Sequence, residues 1–212
     1  MSTEPNTYGP TVSGMLHKMK MIQAIADNIS NISSTAYQRK IPESINFKSV
    51  LNDTVIRDHT QGQLKRTNNK LDLAIEGNAN FLLESKEGLI PTRDGRFHLN
   101  EKGQLVNHEG KEVVVVEKTD KDISLAKSFD ININHRGEIF IGTERYGRIA
   151  VRVNDKSPVR IHQGFTEGSN VSIMNEMISL AMTFRAFEAS EKMLGMESSV
   201  DRDLIEKYGR NV

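Results

Sequence analysis

Cysteine is absent from the 212 residues, which removes a disulfide scaffold, a thiolate nucleophile and any cysteine-ligated metal. Net charge is absent too. Lys and Arg total 28 against 28 Asp and Glu, so there is no bulk attraction to nucleic acid or an anionic membrane, and near-neutrality favours association over repulsion. No run approaches the ~18 consecutive apolar residues that a membrane span needs. The first ten residues, MSTEPNTYGP, carry neither a basic region nor an apolar run, so no Sec-type signal is expected. Catalytic signatures are missing as well: GxSxG, GxxxxGK and GxGxxG do not occur. His17, His59, His98, His108, His135 and His162 show no HExxH or HxH spacing that would put two imidazoles on one metal. Asp94-Gly95 and Asp120-Lys121-Asp122 lack the ligand ladder and closing Glu of a calcium loop. The expectation is a protein that is not an enzyme and needs no cofactor, metal, small-molecule substrate, nucleic acid or membrane insertion.

What the chain does have is a pair of helical patterns at its two ends. The N-terminal stripe is Val12, Met15, Met19, Ile22, Ala26 and Ile29, recurring at steps of three and four, the period of a coiled-coil seam. The C-terminal stripe is Ile173, Met177, Leu180, Phe184, Phe187 and Leu194. Met174, Ile178, Ala181, Met193, Met196, Val200 and Leu204 form a second apolar track on the same helix. A helix apolar over more than one ~100° face is either deeply buried or touched by several neighbours. About 36 residues at 1.5 Å each would run ~54 Å, longer than a small β-domain can bury. An intramolecular hairpin over a β-domain would show similar stripes. The two readings coexist if a hairpin covers one track on each helix and leaves the other for neighbours.

From about residue 60 to 155 the helical period gives way to period two. Leu71, Leu73 and Ile75 alternate with Asp72, Ala74 and Glu76, and Phe129, Ile131 and Ile133 alternate with Asp130, Asn132 and Asn134, as half-buried strands do. Turn signals separate the strands at Glu76-Gly77-Asn78, Lys86-Glu87-Gly88, Arg93-Asp94-Gly95, Glu101-Lys102-Gly103, His108-Glu109-Gly110 and His135-Arg136-Gly137, where tight hairpins demand positive φ. The run Val113 to Val116 reads as a strand buried on both faces. Short strands at this spacing argue for a small barrel or folded sheet. The fold expected is α+β: long N- and C-terminal helices paired as a coiled-coil-like hairpin, with a central all-β, barrel-like domain. Its parts would be 11–32 with 172–208 as the helical domain, 33–69 as an extended linker arm, 70–165 as the β-domain, and 1–10 as an unassigned extension.

The segment Ala26-Asp27-Asn28-Ile29-Ser30-Asn31-Ile32-Ser33-Ser34-Thr35-Ala36-Tyr37-Gln38-Arg39-Lys40 resembles the N-terminal signature of bacterial flagellar axial proteins, the rod and hook family. There a helix ends in an Asn-rich turn followed by Thr-Gly-aromatic-Lys/Arg. Further blocks resemble the same family in the same order: Thr60-Gln61-Gly62-Gln63-Leu64, Leu71-Asp72-Leu73-Ala74-Ile75-Glu76-Gly77, Thr92-Arg93-Asp94-Gly95-Arg96-Phe97, Glu167-Gly168-Ser169-Asn170-Val171 and Arg185-Ala186-Phe187-Glu188. The resemblance singles out Asn28, Asn31, Tyr37, Gly77, Arg93, Asp94, Gly95, Gly168, Ser169 and Asn170, and it covers most of the chain outside residues 1–10 and 143–162.

The resemblance implies a structural subunit that polymerises through its terminal helices into a hollow rod, closest to the proximal-rod type with the distal-rod type next. The implied partners are copies of itself, other flagellar rod proteins and the flagellar export apparatus. The implied place is the flagellar basal body, in the periplasmic space of a Gram-negative cell. Subunit contacts are expected from the two stripes together with Arg185 and Glu188, three apart on one helix. Ala36 stands where the family prefers glycine, which would cost strain if the position needs positive φ. The block from Tyr146 to His162 is shorter than the family's usual, so part of the outer domain is expected to be missing. The rival readings are a soluble ligand-binding β-domain dimerised by its helices, and an enzyme built from scattered carboxylates and histidines, for which no motif speaks.

Overall fold

The structure is a computed structural model, and it describes residues 9–42, 55–119 and 131–209. The chain separates into two compact units: one made of residues 1–32, 39–58 and 171–212, the other of residues 33–38 and 59–170.

In the first unit, helix α1 spans Gly9–Ser30 and helix α2 spans Ile173–Gly209. Strands β1 (Lys40–Pro42) and β2 (Val55–Arg57) pair antiparallel, with Ile41 opposite Ile56. The N-terminal turn of α2 is set by Ser172, whose carbonyl accepts the Glu176 N–H at 3.0 Å. Glu176 in that first turn complements the positive end of the helix dipole. At its other end α1 closes through Asn31, whose backbone and side-chain N–H groups both donate to the Asp27 carbonyl. These bonds satisfy acceptors that a helix terminus otherwise leaves open.

The second unit is a set of short antiparallel sheets around one core. β3 (Leu64–Arg66) pairs with β15 (Phe165–Glu167), and β4 (Leu73–Glu76) with β14 (Arg160–Gln163). β5 (Ala79–Ser85) lies between β6 (Gly88–Thr92) and β13 (Val151–Val153), and β7 (His98–Leu99) pairs with β8 (Leu105–Val106). β9 (Val115–Val116), β12 (Glu144–Ile149), β11 (Glu138–Ile141) and β10 (Ile131–Ile133) form a four-stranded sheet. The core gathers Leu73, Ile75, Phe81, Phe97, Ile139 and Ile149, with Phe81 and Phe97 meeting edge to face at 5.2 Å, a favoured aromatic geometry.

Three of the turns share one design. Asn100, Asn107 and Asn134 each accept, at the side-chain Oδ1, backbone N–H groups two and four residues ahead, at 2.9 to 3.0 Å. The glycines three residues on, Gly103, Gly110 and Gly137, hold φ of 73°, 78° and 79°, a region that a Cβ disfavours.

The expected fold class needs correction on both halves. Among the described residues no long paired coiled-coil hairpin forms. The helices are unequal, 22 and 37 residues, and on both of them much of the apolar stripe points to solvent, with Val12, Met19, Ile173, Met177 and Phe184 all exposed. The α2 face that is covered is instead the row Glu176, Leu180, Thr183, Phe187, Ser190 and Leu194, a stripe in which half the positions are polar. Nor does a barrel close among the described residues. Their strands belong to six separate sheets of two to four strands, and a barrel needs one continuous ladder that returns to its first strand.

Strand-level readings differ too. In β4 the Ala74 side chain is buried along with Leu73 and Ile75, so both faces of that strand are covered and the alternation at Leu71 to Glu76 overstated its exposure. In β10 the alternation holds, with Ile131 and Ile133 buried and Asn132 exposed; Phe129, Asp130 and the Asp120-Lys121-Asp122 turn lie outside the described residues. Of Val113 to Val116 only Val115–Val116 is strand, and Val116 is exposed. Within residues 33–69, strands β1, β2 and β3 are all paired.

Candidate functional site

The helical faces come first, since the sequence points to them. α1 buries Ala24, Ile25 and Asn28 and half-buries Met21. Val12, Leu16 and Met19 are exposed on its other side, as is Ala26, while Met15, Ile22 and Ile29 are half-buried at the border. On α2, Met177 is 58 % exposed and Phe184 46 %. Ile173, Met174, Ile178, Met182, Met193, Met196 and Val200 are exposed as well, whereas Leu180, Phe187 and Leu194 are half-buried. Arg185 and Glu188 are both exposed. Large apolar patches left uncovered on a soluble protein mark sites of contact with other molecules. Lys18 Nζ donates to Ser190 Oγ at 2.9 Å, a polar contact on the covered side of both helices.

A buried polar junction ties the base of this unit together. The Asn28 side chain pairs with Lys40 as a neighbouring strand would: Oδ1 accepts the Lys40 N–H at 2.8 Å and Nδ2 donates to the Lys40 carbonyl at 2.9 Å. Nδ2 also donates to Glu176 Oε2 at 3.2 Å. The other Glu176 oxygen accepts Arg39 Nε at 2.5 Å, and Lys40 Nζ reaches Asp27 Oδ2 at 2.7 Å. Glu176 and Asn28 are wholly buried, so these bonds decide whether the junction can form, because an orphaned buried carboxylate costs far more than a satisfied one contributes. The end of α1, the start of α2 and strand β1 are locked at one point.

The second unit has its own junction, where residues that the resemblance singled out meet others that it did not. Arg93 sends Nε and Nη2 to Glu167 Oε2 at 2.8 and 2.7 Å, and Nη1 to the carbonyls of Gly77 and Ala79. Glu167 Oε1 accepts the Gly62 N–H at 3.0 Å. A Cβ on Gly62 would sit 2.1 Å from the Gly168 carbonyl, and one on Gly95 1.7 Å from that of Leu73, so only glycine lets these backbones approach. Gln61 bridges the Ile75 carbonyl and the Gly77 N–H. Asn170 donates its side-chain amide to the Thr60 carbonyl at 2.9 Å and its backbone N–H to the Tyr37 carbonyl at 3.3 Å. Asp94 sits on the rim, paired with Arg96 at 2.6 Å, and Ser169 is half-buried beside Gly168.

The structure therefore gathers Gly77, Arg93, Gly95 and Gly168 in one junction and places Asn28 in the other. Asn31 caps α1. Sequence reasoning gave no role to Glu167, Glu176, Arg39, Gly62 or Gln61. The available signal was a carboxylate inside an apolar run, as at Glu176 between Ile173 and Ile178, since such a residue is kept only when paired.

The remaining electrostatics are superficial. The Arg145 hydrogen bond, aided by Arg148, holds the Glu117 carboxyl below its usual value. Lys111 does the same for Glu109, and the His162 hydrogen bond at 2.8 Å for Glu76. An open hollow of about 830 Å³ beside β6 is lined by Glu84, Lys86, Glu87, Ile90, Lys111 and Glu112, a mixed-charge surface with no convergent set of polar groups. Among the described residues no group of His, Asp and Glu is placed to hold a metal, and no helix is long and apolar enough to cross a membrane.

Residues 74–141 match the family described as flagellar hook protein FlgE/F/G D1 domain, and residues 162–206 match the flagellar basal body rod FlgEFG protein C-terminal family. The chain is 30% identical over 234 residues to the flagellar basal-body rod protein FlgF of Rhizobium meliloti, covering 93% of this chain and 95% of the relative. It is 28% identical over 233 residues to FlgF of Mesorhizobium japonicum, covering 93% and 95%. To the flagellar basal-body rod protein FlgG of Agrobacterium fabrum it is 27% identical over 239 residues, covering 86% and 91%.

Proposed function

From the premise that this chain belongs to the flagellar basal-body rod protein family, and so is a structural subunit of the rod, we propose that its exposed helical faces are what copies of it and of neighbouring rod subunits bury against one another. The observation that carries this is the orientation of the stripes. α1 and α2 cover one face each within the subunit and leave Val12, Met19, Ile173, Met177 and Phe184 outside. A fully buried side chain of this size contributes roughly 1.5 to 3 kcal/mol, and several per subunit repeat along a polymer. Ala26, Arg185 and Glu188 belong to the same surface, with Met15, Ile22, Ile29, Leu180, Phe187 and Leu194 at its margins. Unbranched methionine suits this role, because it adapts to neighbours met in slightly different orientations.

In this reading the helical unit lines the bore of the rod, and the flagellar export apparatus delivers the chain. Two substitutions test the surface. Met177→Glu or Phe184→Glu should abolish rod assembly and swimming while the β-unit keeps its strand signal in circular dichroism; normal motility with either change sinks the assignment. We place the subunit in the proximal segment on the order Gly168-Ser169-Asn170-Val171, Met177-Ile178, Phe184 and Phe187-Glu188. Locating a tagged copy in images of purified basal bodies tests the placement, and density in the distal segment would reverse it.

A further inference from the structure

The methionines are confined to the helices. Of nine in the chain, Met1 aside, Met15, Met19 and Met21 lie in α1 and Met174, Met177, Met182, Met193 and Met196 in α2, and none falls between residues 22 and 173. Methionine is ordinarily an interior residue. Here Met174, Met182, Met193 and Met196 are 62 to 70 % exposed. At 3.6 residues per turn those four share a face about 100° wide, on the far side of α2 from the covered row Glu176, Thr183 and Leu194. Cysteine is absent, so the thioether is the only oxidisable sulfur the protein has.

We propose that the methionine face of α2 is an oxidation-sensitive modification site: a peroxide converts its thioethers to sulfoxides in the unassembled subunit and blocks polymerisation, and a sulfoxide reductase restores it. The inference rests on the assignment of the helical faces to contacts between copies. In the step, a sulfur lone pair attacks one peroxide oxygen, the O–O bond breaks and an S–O bond forms. Sulfur loses two electrons, the hydroxyl proton passes to the departing hydroxide, and the peroxide is reduced to water. Reversal draws two electrons from a dithiol reductant and again releases water. The product turns an apolar side chain into a strong acceptor with no donor of its own. Packed against a neighbour's apolar surface, that acceptor goes unpaired, which opposes burial. The β-unit holds no methionine, so its sulfur chemistry is silent and the modification acts on assembly without touching the second fold. Thioethers already covered in a finished rod are out of reach, which makes the sensitivity a property of the free subunit.

The test uses cells lacking their own copy and supplied with the full chain, either unaltered or with Met174→Leu, Met182→Leu, Met193→Leu and Met196→Leu together. New flagella are counted during growth in sublethal hydrogen peroxide, and peptide mass spectrometry maps the oxygens gained on the free chain and in purified basal bodies. The expected result is loss of most new flagella with the unaltered chain, their retention with the fourfold variant, and oxygen gained at these four positions on the free chain but not in basal bodies. Equal loss with both chains, or no loss with either, overturns the proposal. Should the fourfold variant not assemble without peroxide, Met182→Leu and Met196→Leu are scored separately in the same way. Unstressed Met177→Glu separates the two ideas: if it swims, the contact surface itself is wrong, whereas if it fails while peroxide leaves the unaltered chain unharmed, only the oxidation step is wrong.

Discussion

Ala36 holds a φ of 55°, a left-handed conformation that costs an L-residue with a Cβ roughly 1 to 2 kcal/mol. The conformation is fixed from outside, because the Ala36 N–H donates to the Glu167 carbonyl at 2.8 Å. Glycine would lose the steric cost and gain some unfolded-state entropy to be lost on folding. Ala36→Gly is therefore expected to stabilise the chain by about 1 kcal/mol, read as a higher urea midpoint at unchanged slope. The neighbouring Arg93–Glu167 pair is a case where removal and replacement differ. Both side chains are nearly enclosed, 9 % and 6 % exposed, so Glu167→Gln strands the guanidinium and should cost ~3 to 5 kcal/mol. Combining it with Arg93→Met should cost much less than the two single changes summed, because the second change removes the stranded charge. A double-mutant cycle in urea measures that difference, and simple additivity would mean that the pair is not coupled.

The recurring element is the hairpin turn closed by an asparagine. Asn107 is buried and satisfies two backbone N–H groups, those of Glu109 and Lys111, so Asn107→Ala should destabilise the β-unit by about 1 to 2 kcal/mol. Asn134, in the same arrangement, makes an internal control for the design. Between β4 and β14 the cross-strand contact is His162 to Glu76. The hydrogen bond lowers the Glu76 pKa below its unfolded value, so its small contribution is present above the ordinary carboxylate range of ~4.3 and is lost as pH falls through the lower folded value. Glu76→Gln should flatten the acid limb of the unfolding profile and leave neutral stability almost unchanged. The turn glycines were legible because positive φ has so few alternatives. The closing asparagine three residues earlier was not, since asparagine is common in every loop and its role appears only when the chain has turned. Strand alternation at Ile131 and Ile133 was legible for the same kind of reason, a period of two with one covered face. The helix pairing was not. Two apolar tracks on one helix do not say which is turned inward, and the covered row on α2 includes Glu176, Thr183 and Ser190, residues that an apolar pattern passes over.

At the scale of the molecule the two units differ in what stabilises them. The β-unit closes a core of its own around Phe81, Leu73 and Ile149. The helical unit does so only in part: α1 has 22 residues and α2 37, so at 1.5 Å per residue ~20 Å of α2 extends past anything α1 can flank. From Gly195 to Val200 every side chain described is exposed, and a helix stretch without a packed face is marginal in water. In the free subunit, backbone amides beyond Leu194 should therefore exchange with solvent early, those around Glu176 and Asn28 later, and those of β4, β5 and β11 last. In purified basal bodies the same α2 amides should become protected, because neighbours then cover the face that a lone copy leaves bare. Light scattering against concentration separates this from a closed pair of helices: a dimer keeps one small size at every concentration, whereas a rod subunit stays single until nucleated and then grows. Full protection of residues 195–209 in a proven monomer would show that the subunit covers its own helix, and would end the case for neighbours doing so.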